Sequence, residues 1–238
     1  PKLTIIPEYT PPKGINPLIS GYLLSKGIPT PKAITAEIIN LAVNGHIEIE
    51  QVGKKEYILR KINHEKIIEP TSSNLLSDAL FSSSDEINTK KKTSSLGTEA
   101  KNIWDQAKKD AEAKSYLDKK KATISAFAIV FAIILFIGNV MGIPFLSMMG
   151  FGVAGAIMLI TSFSIFIMTF LLDSRTEVGN KVYYELQGLK IYIKTAEKHR
   201  IEFHNDPKKY RGVFEKLLPY AILFGLEKKW IKEFKDIY

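Results

Sequence analysis

From Ala122 to Leu172 the chain runs for 51 consecutive positions without an Asp, Glu, Lys or Arg. No other feature restricts its folding options as much. A helix crossing the hydrocarbon core of a bilayer needs about 20 apolar residues, so the run is long enough for two. Within it, "GNVMGIP" (Gly138 to Pro144) gathers glycine, asparagine and proline as turn-forming segments do. The pattern predicts helices near Ala122–Met141 and Leu146–Leu172 joined by a very short loop. No polar stripe at helical spacing marks the pair as a hairpin of a water-soluble protein. The fold class expected is a mainly α membrane protein built on a two-helix transmembrane hairpin.

The flanks predict a topology. "KSYLDKKK" ends at Lys121, Arg175 and Lys181 follow the second helix, and the loop between the helices has no Lys or Arg. By the positive-inside tendency, both flanks are expected in the cytoplasm of a multi-pass protein of the cell (plasma or inner) membrane. Lys119, Lys120 and Lys121 then become candidate contacts to lipid headgroups. Gly150, Gly152, Ala154 and Ala156 on the second helix, with Ala128 and Ala132 on the first, mark small faces suited to close helix packing. Neither helix has an ionisable residue, the usual marker of a proton or ion path.

Residues 1–15 are proline-rich and expected to be an extended linker. Over 16–64 the order of signals is that of a winged-helix-like α+β module. Asn16-Pro17 and Thr30-Pro31 each supply a cap followed by proline at the first helical position. The first helix is expected to reach about Ser25. The second shows Ile34, Ile38, Leu41 and Ala42 on one face and stops at Gly45. Ile47, Ile49, Tyr57 and Leu59 then alternate around a turn at Gly53-Lys54, as in a β-hairpin.

A DNA-reading helix presents base-reading and phosphate-binding side chains on its exposed face. The second helix offers Lys32, Thr35, Glu37, Asn40 and Asn44, of which only Lys32 is basic. Lys54 and Lys55 at the wing tip could touch phosphate, lipid headgroups or water. The chain carries 33 Lys and Arg for a net charge of +8, yet its only arginines are Arg60, Arg175, Arg200 and Arg211. Scarcity of the bidentate guanidinium fork weighs against nucleic acid as a partner.

Residues 65–121 are expected to be a helical cytoplasmic segment. "SNLLSDALF" reads as a short helix and "SSSDEINTKKKTSS" as a polar loop. A charged helix then carries Ile103, Trp104, Ala107, Ala111 and Leu117 on one side and runs on into the first membrane helix. Residues 173–238 read as a C-terminal cytoplasmic helical segment. Val182, Leu186, Leu189, Ile193 and Ala196 follow the helical period. Asp206 and Pro207 start a new helix. In "VFEKLLPYAILFGLEKKW", Pro219 is expected to open a short helix, Gly225 to end it in a left-handed cap, and Glu227 to open another. Leu218, Pro219, Tyr220, Phe224, Gly225, Trp230 and Phe234 form the candidate docking or packing corner.

Chemistry is sparse. There is no cysteine, so disulfides, thiolate metal sites and thiol nucleophiles are excluded. His199 and His204 are five apart, a poor spacing for ligating one metal from one helix face. Glu185, Glu197 and Glu215 have no neighbours that identify a general base, and no phosphate-cradling glycine motif occurs. No catalytic residue, cofactor site or metal site is assigned.

"YTPPKGINP", "TAEIINLAVNGHIEIE", "GLKIYIKTAEKHR" and "FEKLLPYAILFGLEKKWIKEF" together resemble the YciQ-like family of predicted membrane proteins, domain of unknown function 2207. The terminal block of that family corresponds here to Leu218, Pro219, Tyr220, Ala221, Gly225 and Trp230. The resemblance implies membrane location and no particular reaction. It also implies that a signal sequence, a β-rich domain and a further span precede this region, in keeping with a chain that opens without methionine. The function expected is a non-enzymatic, membrane-anchored interaction or assembly scaffold with a cytoplasmic docking module. Its partners would be the lipid bilayer and another protein, with self-association left open. A membrane-tethered winged-helix DNA-binding regulator is one alternative; a component of an enzyme or transporter whose active groups lie elsewhere is another.

Overall fold

Asn16 starts the first helix, α1 (Pro17–Leu24), because its Oδ1 accepts from the Ile19 amide at 2.9 Å, satisfying one of the free N-terminal donors. Thr30 precedes α2 (Pro31–Val43) without a side-chain capping bond, so proline at the first position serves there alone. Residues 4–63, 70–90, 95–148, 150, 152–171, 173–195 and 207–234 are described by the computed structural model. They divide into a globular unit, Pro1–Lys114 with Glu177–Tyr238, and a second unit, Ser115–Thr176.

In the globular unit, β1 (Ile47–Gly53) pairs antiparallel with β2 (Glu56–Lys61) around Lys54-Lys55, where Lys55 has a φ of 61°. After α3 (Thr71–Leu80), the segment expected as a loop contributes β3 (Glu86–Asn88), which pairs with the free edge of β2. Only Ile87 there is apolar, too little alternation for a strand to be read, but the open edge of β2 needs partners for its backbone groups. Ile47, Leu59 and Ile87 turn inward and join Leu18, Leu41, Leu76, Leu80, Phe81, Ile103 and Trp104 in one core. The last two come from α4 (Ser95–Ala113). That helix does not run on into the hairpin: it ends at Ala113, and Ser115 follows at φ 57°, outside the right-handed helical region.

α7 (Glu177–Thr195), α8 (Pro207–Phe224) and α9 (Glu227–Phe234) complete the unit. Ala196, His199, His204 and Asp206 lie outside the described residues. α8 continues through Pro219, so the expectation of a helix start there is corrected. A proline inside a helix forgoes one backbone bond. Burial of Leu217, Pro219, Tyr220 and Ala221 against α1 and α2 offsets that loss. Gly225, at φ 70°, ends α8 in the left-handed region, and the Leu226 amide returns to the Ala221 carbonyl at 2.8 Å.

The second unit is a helical hairpin, α5 (Lys119–Met148) and α6 (Gly152–Leu171). Its two chain ends are tied together. The Asp118 amide donates to Ser174 O at 2.8 Å, and the Thr176 amide to Tyr116 O at 3.1 Å. Asp118 Oδ1 also caps α5 through the Lys120 amide at 2.9 Å. The expected break at Gly138–Pro144 is continuous helix, and the connection falls near Gly150, whose φ of 85° suits a residue without a Cβ. Buried Ala132, Gly155 and Ser162 line the helix contact, where the rings of Phe136 and Phe163 meet at a 45° tilt with centroids 6.3 Å apart.

The expectation of two membrane spans is corrected: among the described residues, no helix is long and apolar enough to cross a membrane. Freedom from charge is a weaker property than a sustained apolar surface. α5 opens on Lys119–Lys121, and Thr123, Asn139, Thr161, Ser162 and Ser164 punctuate the pair, each bonding back to a carbonyl of its own helix.

The extended N-terminal segment crosses α7 at Gly188, where a Cβ would lie 2.0 Å from the Ile6 carbonyl oxygen and 3.2 Å from the Glu8 amide nitrogen. Alanine at an ordinary mid-helix glycine stabilises by up to about 1 kcal/mol. Here Gly188→Ala is expected to destabilise the globular unit by ~1–3 kcal/mol, since backbone has to move. The sign of the change in urea midpoint, with earlier proteolysis of residues 4–12, checks this.

Candidate functional site

The second helix was read as exposing Glu37; in the structure α8 packs along that side of α2 and Glu37 is completely buried. Its Oε1 accepts from Ser73 Oγ at 2.6 Å and from Asn40 Nδ2 at 3.4 Å. Ser73 Oγ in turn accepts from Asn16 Nδ2 at 2.8 Å, so the cap of α1 also contacts the first turn of α3. One step further, Asp110 Oδ2 accepts from the Ser72 amide at 2.7 Å and Oδ1 from Gln106 Nε2 at 2.9 Å. Tyr220, from α8, reaches the same region and donates from its hydroxyl to Ile15 O at 3.2 Å. The result is a buried polar network joining α1, α2, α3 and α4, with α8 closing one side.

Burial pushes the Glu37 carboxyl up to about 7, although Ser73, Asn40, Asn16 and the Leu18 amide all favour its ionised form. Burial likewise raises the Tyr220 hydroxyl, with the nearby Glu37 carboxyl adding to it. Among the described residues, Glu37 Oε2 and His46 Nδ1 have no hydrogen-bond partner despite being buried. Both residues line a cleft of about 430 Å³, together with Gly14, Ile15, Asn16, Asn40, Leu41, Asn44, Pro70, Ser73 and Lys114. Neither Glu37 nor His46 was assigned to a site from the sequence. The one available signal was a glutamate close to alanines at helical spacing, Ala33 and Ala36, a face narrow enough for α8 to lie against.

The C-terminal corner is largely internal. Trp230 and Phe234 are at most 1% exposed and Tyr220 is 4% exposed, so none of the three is available at the surface. Phe224 and Leu218 are half-buried, and Gly225 is exposed. A chain of rings runs through the corner: Tyr9 to Tyr192 at 4.9 Å, Tyr192 to Trp230 at 6.4 Å, and Trp230 to Phe234 at 4.7 Å. Trp230 Nε1 donates to Phe214 O at 3.3 Å. Lys54 and Lys55 are exposed at the strand turn, and Lys119, Lys120 and Lys121 are exposed at the start of α5. On the strand face, Arg60 is held by Glu50 at 2.6 Å and Glu86 at 2.8 Å, with Glu48 beside them. Of the small hairpin residues, Ala132 is buried and Ala128 half-buried. Ala156 and Gly150 are exposed, Gly152 opens α6, and the Ala154 side chain lies outside what is described.

The Glu37 carboxyl has a folded value of about 7 against an ordinary 4.5. A carboxyl raised by folding contributes its stabilisation fully when protonated below the unfolded value, and loses it as pH rises through the folded one. Between those values the native state holds one more proton than the unfolded chain, so stability falls by about 1.4 kcal/mol per pH unit, ~3 kcal/mol in all. Urea midpoints should decline from pH 5 to 8 in the wild type, and Glu37→Gln should flatten that decline.

Neither curated proteins nor solved structures include a match to this chain. A family model does match, over residues 6–234, and its description is the C-terminal domain of a predicted membrane protein, DUF2207. The match takes in the N-terminal crossing at Gly188, the Glu37 network, the hairpin and the aromatic corner alike. The chain belongs to the DUF2207 family of predicted membrane proteins, as its C-terminal domain.

Proposed function

We propose that the chain acts as a non-enzymatic, membrane-associated interaction scaffold. The observation that carries this reading is the surface of the hairpin unit. Ile124, Phe127, Phe131, Ile134, Ile137 and Met141 on α5 are exposed, as are Val153, Ile157, Ile160 and Ile167 on α6. Exposed apolar surface so extensive on one pair of helices marks an element made to associate with lipid or protein. Membership of a family of predicted membrane proteins favours lipid. The three lysines that open α5 add attraction to anionic headgroups.

The globular unit supplies the platform rather than a groove-reading helix. α8 lies along α2, and Lys32 Nζ rests 2.6 Å from where a Cβ on Gly225 would be. Carboxylates surround Arg60 on the strand face, which works against a phosphate backbone there. Both features speak against the tethered DNA-binding regulator.

The full chain, added to vesicles of phosphatidylcholine and phosphatidylglycerol, should float with them in a density gradient and stay bound in 1 M salt. Phe127→Asp, Ile134→Asp and Ile160→Asp in combination should leave it at the bottom of the gradient. Trp104 and Trp230, both in the globular unit, report by fluorescence that this unit is still folded. Failure of the wild type to float, or equal flotation of the triple variant, would sink the proposal.

A further inference from the structure

The one Asn-Gly step in the chain is Asn44-Gly45, where α2 ends and the turn into β1 begins. Both residues are exposed, and a Cβ built on Gly45 would meet nothing within 4 Å. This pair of residue types carries a chemistry of its own, independent of any role of the hairpin. The Gly45 nitrogen, unshielded by a side chain, loses its proton to hydroxide and bonds to Asn44 Cγ. Nδ2 then leaves as ammonia, taking a proton from water, and a cyclic imide remains. Water opens the imide at either of its carbonyls. The product is aspartate or, where the backbone now runs through Cβ and Cγ, isoaspartate.

The native backbone holds that reaction off. Ring closure needs the Gly45 nitrogen turned to the Cβ side of the Asn44 Cα–C bond. At the observed ψ of 6° it lies almost eclipsed with Asn44's own nitrogen, away from Cγ. Hydrogen bonds keep it there. The Gly45 amide donates to Ala42 O at 3.0 Å and the His46 amide to Leu41 O at 2.9 Å. With Gly45 at φ 74°, these are the bonds that close a helix on a left-handed glycine. The leaving group is held too, since Asn44 Nδ2 donates to Asn40 O at 2.7 Å and to Asn40 Oδ1 at 3.1 Å. We propose that Asn44-Gly45 is a self-modifying site kept closed by the α2 cap, losing its carboxamide in proportion to the time the cap spends open.

The product does not fit the closed turn. Either acid loses the Nδ2 bonds and sets a negative charge at the C-terminal end of α2, where the helix dipole disfavours it. Isoaspartate also lengthens the backbone between Leu41 and Ile47, each 2% exposed in the core, so one of them has to shift. Because the ammonia is lost, modification is a one-way loosening of the joint between α2 and the sheet.

The test holds the full chain at pH 8 and 37 °C, natively or in 6 M guanidinium chloride, with sampling over days. Trypsin cuts after Lys32 and Lys54, and mass spectrometry follows the amide-to-acid change in the peptide between them. Asn40 lies in the same peptide, followed by Leu41, and serves as the internal reference. In denaturant Asn44 should convert well ahead of Asn40. In the native chain its conversion should be slower by about tenfold or more, the factor set by the opening equilibrium of the cap. Val43→Gly, at the exposed last residue of α2, loosens the helix end without touching the reacting atoms and should speed native conversion several-fold. The site is overturned by equal rates in native and denatured chains, by Asn40 converting as fast as Asn44, or by an unchanged native rate in folded Val43→Gly. Should Val43→Gly not fold, the wild-type comparison decides alone.

Discussion

The bond from Ser73 Oγ to Glu37 Oε1, 2.6 Å long, joins the third helix of the globular unit to the second across 36 positions of chain. Because Asn16 donates to the same Ser73 hydroxyl while its own oxygen caps α1, three helix positions are set by one small group of atoms. Inside a low-dielectric interior these bonds strengthen one another, and losing any of them leaves a buried polar atom exposed to nothing. The arrangement of α1, α2 and α3 therefore depends on a carboxyl that folding makes harder to ionise. That is a costly choice for a packing device.

α8 is what encloses this network. Its helix lies against α2 and α1, Leu223 approaches Gly21, and Tyr220 reaches back to Ile15. A side chain at Gly21 would sit 2.6 Å from the Ala33 Cβ, so the close approach of α1 and α2 depends on that glycine. The N-terminal segment makes a comparable demand at Gly188 of α7. In both places the chain contacts are made by backbone and small residues, which carry no hydrophobic signature of their own.

Local elements were legible where local chemistry decides them. Asn16 and Pro17 start α1, Gly45 stops α2, Ile47 to Leu59 alternate as a hairpin, and Val182 to Ile193 keep helical time, because caps, turns and periodicity act over a few residues. Three readings failed for a common reason. Glu37 looked exposed because periodicity counts only the apolar face of α2, and the second face is buried by a helix about 180 positions away. Pro219 looked like a helix start because the burial that offsets its lost bond is contributed by α1 and α2. β3 was unreadable because the backbone edge that recruits it belongs to β2. The cleft residues were the least visible of all, since Glu37, His46 and Lys114 share no spacing and meet only through the fold.

The uncharged stretch from Ala122 to Leu172 divides the two kinds of information. By itself, the sequence determined that these residues form two helices with an apolar exterior, that a basic cluster precedes them, and that no thiol chemistry is available, because composition and hydropathy are properties of the chain. Only the tertiary structure decided that the turn lies near Gly150 rather than at the Gly138–Pro144 cluster, and that the aromatic corner faces inward. It also decided that a lone glutamate becomes the centre of the globular unit. A turn is placed by which helix faces match, and a side chain is buried by what arrives to cover it; both depend on partners distant in sequence, which no local pattern records.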